Sequence, residues 1–500
     1  MTARRVLAGL VALLVWAAVA VPAWVVLVQR ASAEIQVAGH DAVVRPTLDG
    51  YSVLRTGALL PDARMPSGHR IGAEIVLGKT EAASAPEMVQ RYAVIASRPQ
   101  GEVRRVTAAV EDLVVTSAAR AAVIGLVPLG FWLLLGPRRR RELLHPRKRQ
   151  VIVAGMAVTA VVVVLVAPWR PPEDRVQSDR EWTPLAQAVP AVAIPAELGT
   201  VELQGNALTT ATSRLVESAF DTYAGSKVFY DQVRERVLST EFREPEDGDT
   251  VGILLSDRHD NIGMDDVAAT IGREAGATVV LDAGDDTSTG ATWESFSLDS
   301  LDQAFSDYDE RVSVAGNHDH GTFVSRHFRE LGWTTLDGRE ATLFGGVRIS
   351  GMNDPRSSGL GNWRDETGLS FGEVRDRFSE ELCRLDEEGN RVSTVLVHDA
   401  NQARPAAEEG CVDLVVGGHV HSSSGPTPYD GPGGRSYSYT NGTTGGAAYA
   451  FAMGSKLRRE AMVTLITWRD GRPIGLQPVT VRTTGDVVVG EFVPLSFPAQ

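Results

Sequence analysis

The sequence predicts an α/β layered domain from about residue 250 onward, set behind three membrane-spanning helices and a small β-rich unit. Three observations carry this reading. Long uncharged apolar runs occur before residue 170, short strand-like and helix-like segments alternate after residue 250, and polar clusters recur just past the strand ends. A chain of 500 residues is also too long for one ordinary core.

The apolar runs come first. Val6 to Val28 is 23 residues without a charge, enough to cross ~30 Å of hydrocarbon at ~1.5 Å per residue. Val151 to Trp169 is a second such run, rich in Val and Ala. Ala121 to Gly136 has only 16 uncharged residues and carries Pro128; it reaches the required length if Arg120 snorkels to the interface. Arg4 and Arg5 precede the first run, and Arg138 to Arg141 with Arg147, Lys148 and Arg149 separate the last two. Both basic groups want the cytoplasmic side, and three spans put them there together. A multi-pass cell-membrane protein follows, with everything after about residue 170 extracytoplasmic and the lipid bilayer a partner. Ala31-Ser32-Ala33 resembles a signal-peptidase site, so a cleaved signal peptide is the alternative to an uncleaved first anchor.

The domain reading is an anchor over 1–29, an extracytoplasmic β-rich unit over 30–117 and a transmembrane hairpin with a basic loop over 118–169. A juxtamembrane linker and helix cover 170–249, and the layered domain covers 250–500. Residues 34–80 alternate apolar and polar between turn residues, which reads as strands. Met88 to about Leu113 reads as a helix leading into the second span. Pro171-Pro172 and Pro190 to Pro195 mark the linker, and Ser213 to Ser239 has helical spacing.

Charge is divided unevenly. From Arg170 onward there are 29 Lys and Arg against 52 Asp and Glu, a net of −23. A field of that sign repels polyanions and makes long nucleic acid an unlikely partner.

Within the layered domain, five polar clusters follow five predicted strands. Asp257-Arg258-His259 follows Val251 to Leu255, Gly284-Asp285-Asp286 follows Ala277 to Leu281, and Gly316-Asn317-His318-Asp319 follows Val312 to Ala315. His398-Asp399 follows Val392 to Val397, and Gly418-His419-Val420-His421 follows Val412 to Val416. Ligand sites of α/β sheets lie at that end of the strands. Carboxylate, imidazole and amide oxygen without thiolate suit two divalent ions of the Mn, Fe, Zn or Mg type.

Taken in order, Asp-x-His, Gly-Asp, Gly-Asn-His-Asp, a His after a strand and Gly-His-x-His resemble the calcineurin-like metallophosphoesterases, over about residues 250–450. The resemblance implies a four-layer α/β/β/α sandwich with a dinuclear centre. It implies that Asp257, His259 and His421 bind one metal, that Asn317, His398 and His419 bind the other, and that Asp285 bridges them. His318 is then the acid or electrostatic partner, oriented by Asp319. Thr287-Ser288 departs from the family, many of whose members carry an acidic residue or His there, which leaves the substrate pocket open. Asn441-Gly442-Thr443-Thr444-Gly445 resembles a late segment of such domains but receives no chemistry. The implied activity is hydrolysis of a phosphomonoester, phosphodiester or pyrophosphate bond at the outer membrane face. The alternative is an inactive metal-binding ectodomain acting as a scaffold or receptor. Cys383 and Cys411, both in the exported domain, are expected to pair.

Overall fold

A computed structural model describes residues 2–56, 61–80, 100–144, 182–188, 199–204, 225–342, 344–359, 362–365, 368–447 and 456–498. The chain forms two compact units, Met1–Ala82 with Glu102–Arg214, and Ala83–Gly101 with Leu215–Gln500.

In the first unit, Val6–Arg30 and Gly101–Leu134 are helices long and apolar enough to cross a membrane. They pack side by side: the Trp16 indole donates to the Ala122 carbonyl at 3.0 Å, and a Cβ on Gly125 would meet the Trp16 ring at 2.8 Å. The second span was expected to begin near Ala121; instead one helix runs unbroken from Gln100 to Leu134. No Gly or Pro interrupts it between Glu102 and Ile124, so the charged first half and the apolar second half share one rod. The third apolar run, Val151 to Trp169, lies outside the described residues, as do most of the linker and 213–224.

Seven strands form a sheet in this unit: β1 (Ala33–Val37), β2 (His40–Thr47), β3 (Tyr51–Arg55), β4 (Ala63–Pro66), β5 (Gly72–Thr80), β6 (Trp182–Pro184) and β7 (Glu202–Gln204), in the order β1-β2-β5-β3-β4-β7-β6. The last two come from the stretch read as linker. Arg64 fastens them, its guanidinium 4.4 Å from the centre of the Trp182 ring and ion-paired to Glu202.

The second unit is the layered domain. β8 (Asp249–Leu255), β9 (Val279–Asp282), β10 (Glu310–Ser313) and β11 (Thr334–Thr335) pair in parallel, and β20 (Ala461–Arg469) joins β8 antiparallel. β21 (Arg472–Val481), β22 (Val487–Val489) and β23 (Val493–Pro494) complete that sheet. The other sheet runs β12 (Glu340–Thr342), β13 (Arg348–Met352), β16 (Val392–Val397), β17 (Val412–Gly417), β19 (Gly434–Thr440), β18 (Ser424–Gly431).

Strand alternation builds the layers. Ile253 and Leu255 face one way, into a core with Met264 and Val267 of the helix Gly263–Glu274 and Phe229, Val233 and Val237 of the helix over 225–238. Leu254 faces the other way and meets Ile349, Leu396, Leu414 and Val416 of the second sheet. That sheet's outer face is covered by Phe378 and Leu382 of the helix Phe371–Glu387 and by Ala406 and Ala407 of the helix Arg404–Glu409. Helices, sheet, sheet, helices is a four-layer sandwich, each sheet buried on both faces as continuous apolar strands require. Cys383 and Cys411 are bonded, with Cα atoms 4.9 Å apart, at the end of β17 opposite its His-bearing loop.

Candidate metal centre

The five loops emerge from the C-terminal ends of parallel strands, three from the first sheet and two from the second, and meet across the seam. Nε2 of His421 lies 3.3 Å from Oδ1 of Asp257 and 3.0 Å from Nε2 of His259. Nε2 of His398 lies 3.2 Å from Oδ2 of Asp285 and 3.0 Å from the Asn317 amide oxygen. Two groups result that can each hold a metal ion: Asp257, His259 and His421, and Asp285, His398 and His419.

The approach is made at a cost in backbone conformation. Asp257, His259, Asp285, His419 and His421 all have positive φ, between 46° and 77°. For residues with a Cβ that region costs about 1–2 kcal/mol each. Two glycines let the loops close: a Cβ on Gly316 would fall 2.2 Å from Oδ1 of Asp285, and one on Gly418 would fall 2.4 Å from Oδ2 of Asp257.

The rings are oriented from behind. Nδ1 of His398 faces the Ala283 carbonyl at 2.8 Å, and Nδ1 of His421 faces the Ala447 carbonyl at 3.2 Å. A carbonyl can only accept, so each Nδ1 carries a proton and Nε2 is the nitrogen each ring turns inward. Imidazole nitrogen, carboxylate and amide oxygen thus converge in buried space, where a cation is the missing counterpart. The donor set fits two divalent ions.

Protonation among these side chains follows the same crowding. Burial pushes His259 down to about 4, against the pull of Asp285 and Asp257. Burial also opposes a charged His398, but the Asp285 carboxylate outweighs it and raises that ring well above its ordinary value. For Asp285, burial works upward and is overcome by His398, which holds the carboxyl far below the usual range.

Several residues take places the sequence did not foresee. Arg258, between two of the expected ligands, is fully buried and donates to Asp286 at 2.6 Å and Asp265 at 2.7 Å, so it staples loops and does not face substrate. The Asp319 carboxylate accepts from the backbone of Gly316, Asp285 and Thr287 and from the Thr287 hydroxyl, tying the third loop to the second. Burial, then the Asp286 and Asp285 charges, push it up to about 7. His318 sets Nδ1 3.1 Å from the Ser288 carbonyl, its ring edge-on to His259 with centroids 5.0 Å apart. His327 meets Asp299 at 3.0 Å. Arg356 is held between Asp354 and Asp399.

Buttressing residues went unnoticed. The Thr443 hydroxyl donates to the Asp257 carbonyl at 2.7 Å, and the Thr444 amide donates to that of Ser256 at 2.8 Å, so the 441–445 segment braces the first loop. Its Asn-Gly-Thr-Thr-Gly composition was the available signal. Glu294 and Asp260, both buried, carried none.

Fold and site together define a layered α/β domain with two groups able to hold metal ions, the dinuclear metal-binding architecture of metal-dependent hydrolases. Residues 253–423 match the family described as calcineurin-like phosphoesterase, so the chain carries a domain of that type. Among solved structures, it is similar to an NAD nucleotidase of Haemophilus influenzae at 14% identity and TM-score 0.31, covering 50% of each chain. The chain thus spans half the length of that protein. It is also similar to a dimetal phosphatase from Danio rerio at 9% identity and TM-score 0.32, covering 49% of this chain and 99% of that one. An archaeal phosphodiesterase matches at 11% identity and TM-score 0.26, over 43% of this chain and 93% of its own. No curated protein matches the chain.

Proposed function

We propose that Asp257, His259 and His421 hold one divalent cation, that Asn317, His398 and His419 hold a second, and that Asp285 bridges the two. The carrying observation is the position of Asp285 Oδ2, 3.2 Å from Nε2 of His398 and 3.8 Å from Nε2 of His259, within reach of both groups. Two such cations, when bound, lower the pKa of a water that attacks phosphorus and neutralise the phosphoryl oxygens.

The chain's own part is positional and protonic. Nδ1–H of His318 donates to the Ser288 carbonyl, so the proton it passes to a leaving oxygen moves at Nε2. The substrate is a phosphomonoester, phosphodiester or pyrophosphate. The two long apolar helices, the third apolar run Val151 to Trp169 and the arginine flanks support a site at the outer face of a cell membrane, reached by a multi-pass chain.

Purified protein loaded with Mn²⁺ and given bis-p-nitrophenyl phosphate tests this. Hydrolysis with two metals per chain is expected, and metal uptake without turnover would favour the scaffold reading. His318→Asn should keep its metals yet lose roughly 10²–10⁴ in rate where the leaving group needs a proton, and much less with p-nitrophenolate. Loss of metal by that variant would make His318 a ligand instead.

A further inference from the structure

Behind His318 lies a carboxylate that neither the metal groups nor the proposed chemistry uses. Glu294, in the short 3-10 turn Thr292–Glu294, is fully buried. Its oxygens accept from the Ser288 amide at 2.9 Å, the Thr289 amide at 2.9 Å, the Thr289 hydroxyl at 2.7 Å and the Ala291 amide at 2.7 Å. Asp260 shares the task, accepting from the Ser288 amide at 3.0 Å and hydroxyl at 2.6 Å. The group so fixed, the Ser288 peptide, turns its carbonyl onto Nδ1 of His318 at 3.1 Å.

We propose that Glu294 is a positioning residue for His318, acting through the Ser288 peptide with Asp260 as its second anchor; this rests on the role given to His318 above. A buried carboxylate is expensive unless its acceptors are filled; those of Glu294 take bonds from residues 288–291, and the Asp260 carboxyl, pushed well above its usual range by burial and then by Glu294, is hydrogen-bonded beside them. Those bonds define the plane of the Ser288 peptide. The bond from the Thr289 N–H, which shares a peptide with the Ser288 carbonyl, to Glu294 also pushes electron density toward that carbonyl and makes it a stronger acceptor. The carbonyl then keeps a proton on Nδ1 of His318, so the imidazolium gives up its Nε2 proton to the leaving oxygen and is left as the neutral Nδ1–H tautomer.

The experiment compares Glu294→Gln, His318→Asn and the double variant in the metal-loaded full chain, with phenyl and p-nitrophenyl phosphate esters and with metal content measured for each. Gln keeps the shape but turns one acceptor oxygen into an NH2 facing amide donors. Glu294→Gln should hold two metals and lose about 10–100-fold on the phenyl ester, but no more than about 3-fold on the p-nitrophenyl ester. The double variant should be no slower than His318→Asn alone, since both act on one proton transfer. Equal loss on both esters, or losses that multiply in the double variant, would overturn the proposal. Should Glu294→Gln misfold or lose metal, Thr289→Val removes only one bond to Glu294 and should show a smaller loss with the same ester preference; no preference overturns it too. If His318→Asn itself lacks the preference, the role of His318 is what fails. If it has the preference and the variants behind it do not, only the role of Glu294 fails.

Discussion

Nε2 of His398, at the end of a strand in one sheet, lies 3.2 Å from Oδ2 of Asp285, at the end of a strand in the other. The contact joins the two halves of the sandwich where the two metal groups meet. The remaining Asp285 oxygen accepts from the His318 backbone amide at 2.8 Å, so one carboxylate serves three loops.

Replacing Asp285 with Asn should therefore weaken both metals together, because it removes a negative charge that both cations share. Metal analysis should return well under two ions per chain, with turnover lost on every ester. An Asp285→Asn protein that keeps two metals and full activity would show the bridge to be misplaced.

Acid stability should reveal the start of the central sheet. Asp249 opens β8, and burial alone would raise its pKa, but bonds from the Glu246 amide, Arg469 and Arg243 hold it below the usual carboxylate range. A depressed folded value contributes stability above the unfolded pKa of about 3.9, and that contribution fades as pH falls through the folded value. Asp249→Asn should have a lower denaturation midpoint than wild type at pH 6. The gap should close below about pH 4, whereas a gap constant from pH 6 to pH 3 would mean that the charge is not what matters.

The Cys383–Cys411 bond closes a loop of sequence separation 28. In the chain-entropy account that is worth about 3–4 kcal/mol, or roughly 2–4 °C of Tm per kcal/mol in a domain of this size. Converting both cysteines to Ala should lower Tm by that order while leaving metal stoichiometry intact, because the bond lies at the far end of β17 from His419. Unchanged Tm would indicate that the pair is not oxidised in the native protein.

Orientation can be read with reporters active on one side of a membrane. A fusion after Gln500 should report the outside, and one inserted among Arg138 to Arg149 the cytoplasm. A cytoplasmic C-terminus would overturn the placement drawn from the arginine clusters.

The site was legible because each cluster ends an apolar strand, and strand plus polar cluster is a pattern that survives in one dimension. What escaped was whatever depends on who stands behind whom. Arg258 reads equally as a binder of substrate phosphate or as half of an ordinary salt bridge until Asp265 and Asp286 are found around it, all three side chains fully buried. Asp319 reads as a partner of its sequence neighbour His318, and its bonds to Gly316 and Thr287 emerge only in the fold. Glu294 lies 24 residues before His318 and acts through a peptide group, which no side-chain pattern records. Trp182–Pro184 and Glu202–Gln204 are three residues each, too short for a period-2 signal. The helix from Gln100 was divided at Ala121 because hydropathy changes there, although helical geometry does not.

β20 has a bearing on how the protein comes into being. Thr464 pairs with Leu254 across 210 residues of sequence, and β20 covers the whole flank of β8, the strand that leads to Asp257. The brace at Thr443 and Thr444 also arrives late from the ribosome. Until then β8 presents an open edge and the first ligand loop has no support, a nascent state inclined to pair with strangers. Loading of cations is thus expected to wait for the completed polypeptide. A fragment cut at residue 423, where the family likeness stops, would carry every ligand and still lack the scaffold to hold them.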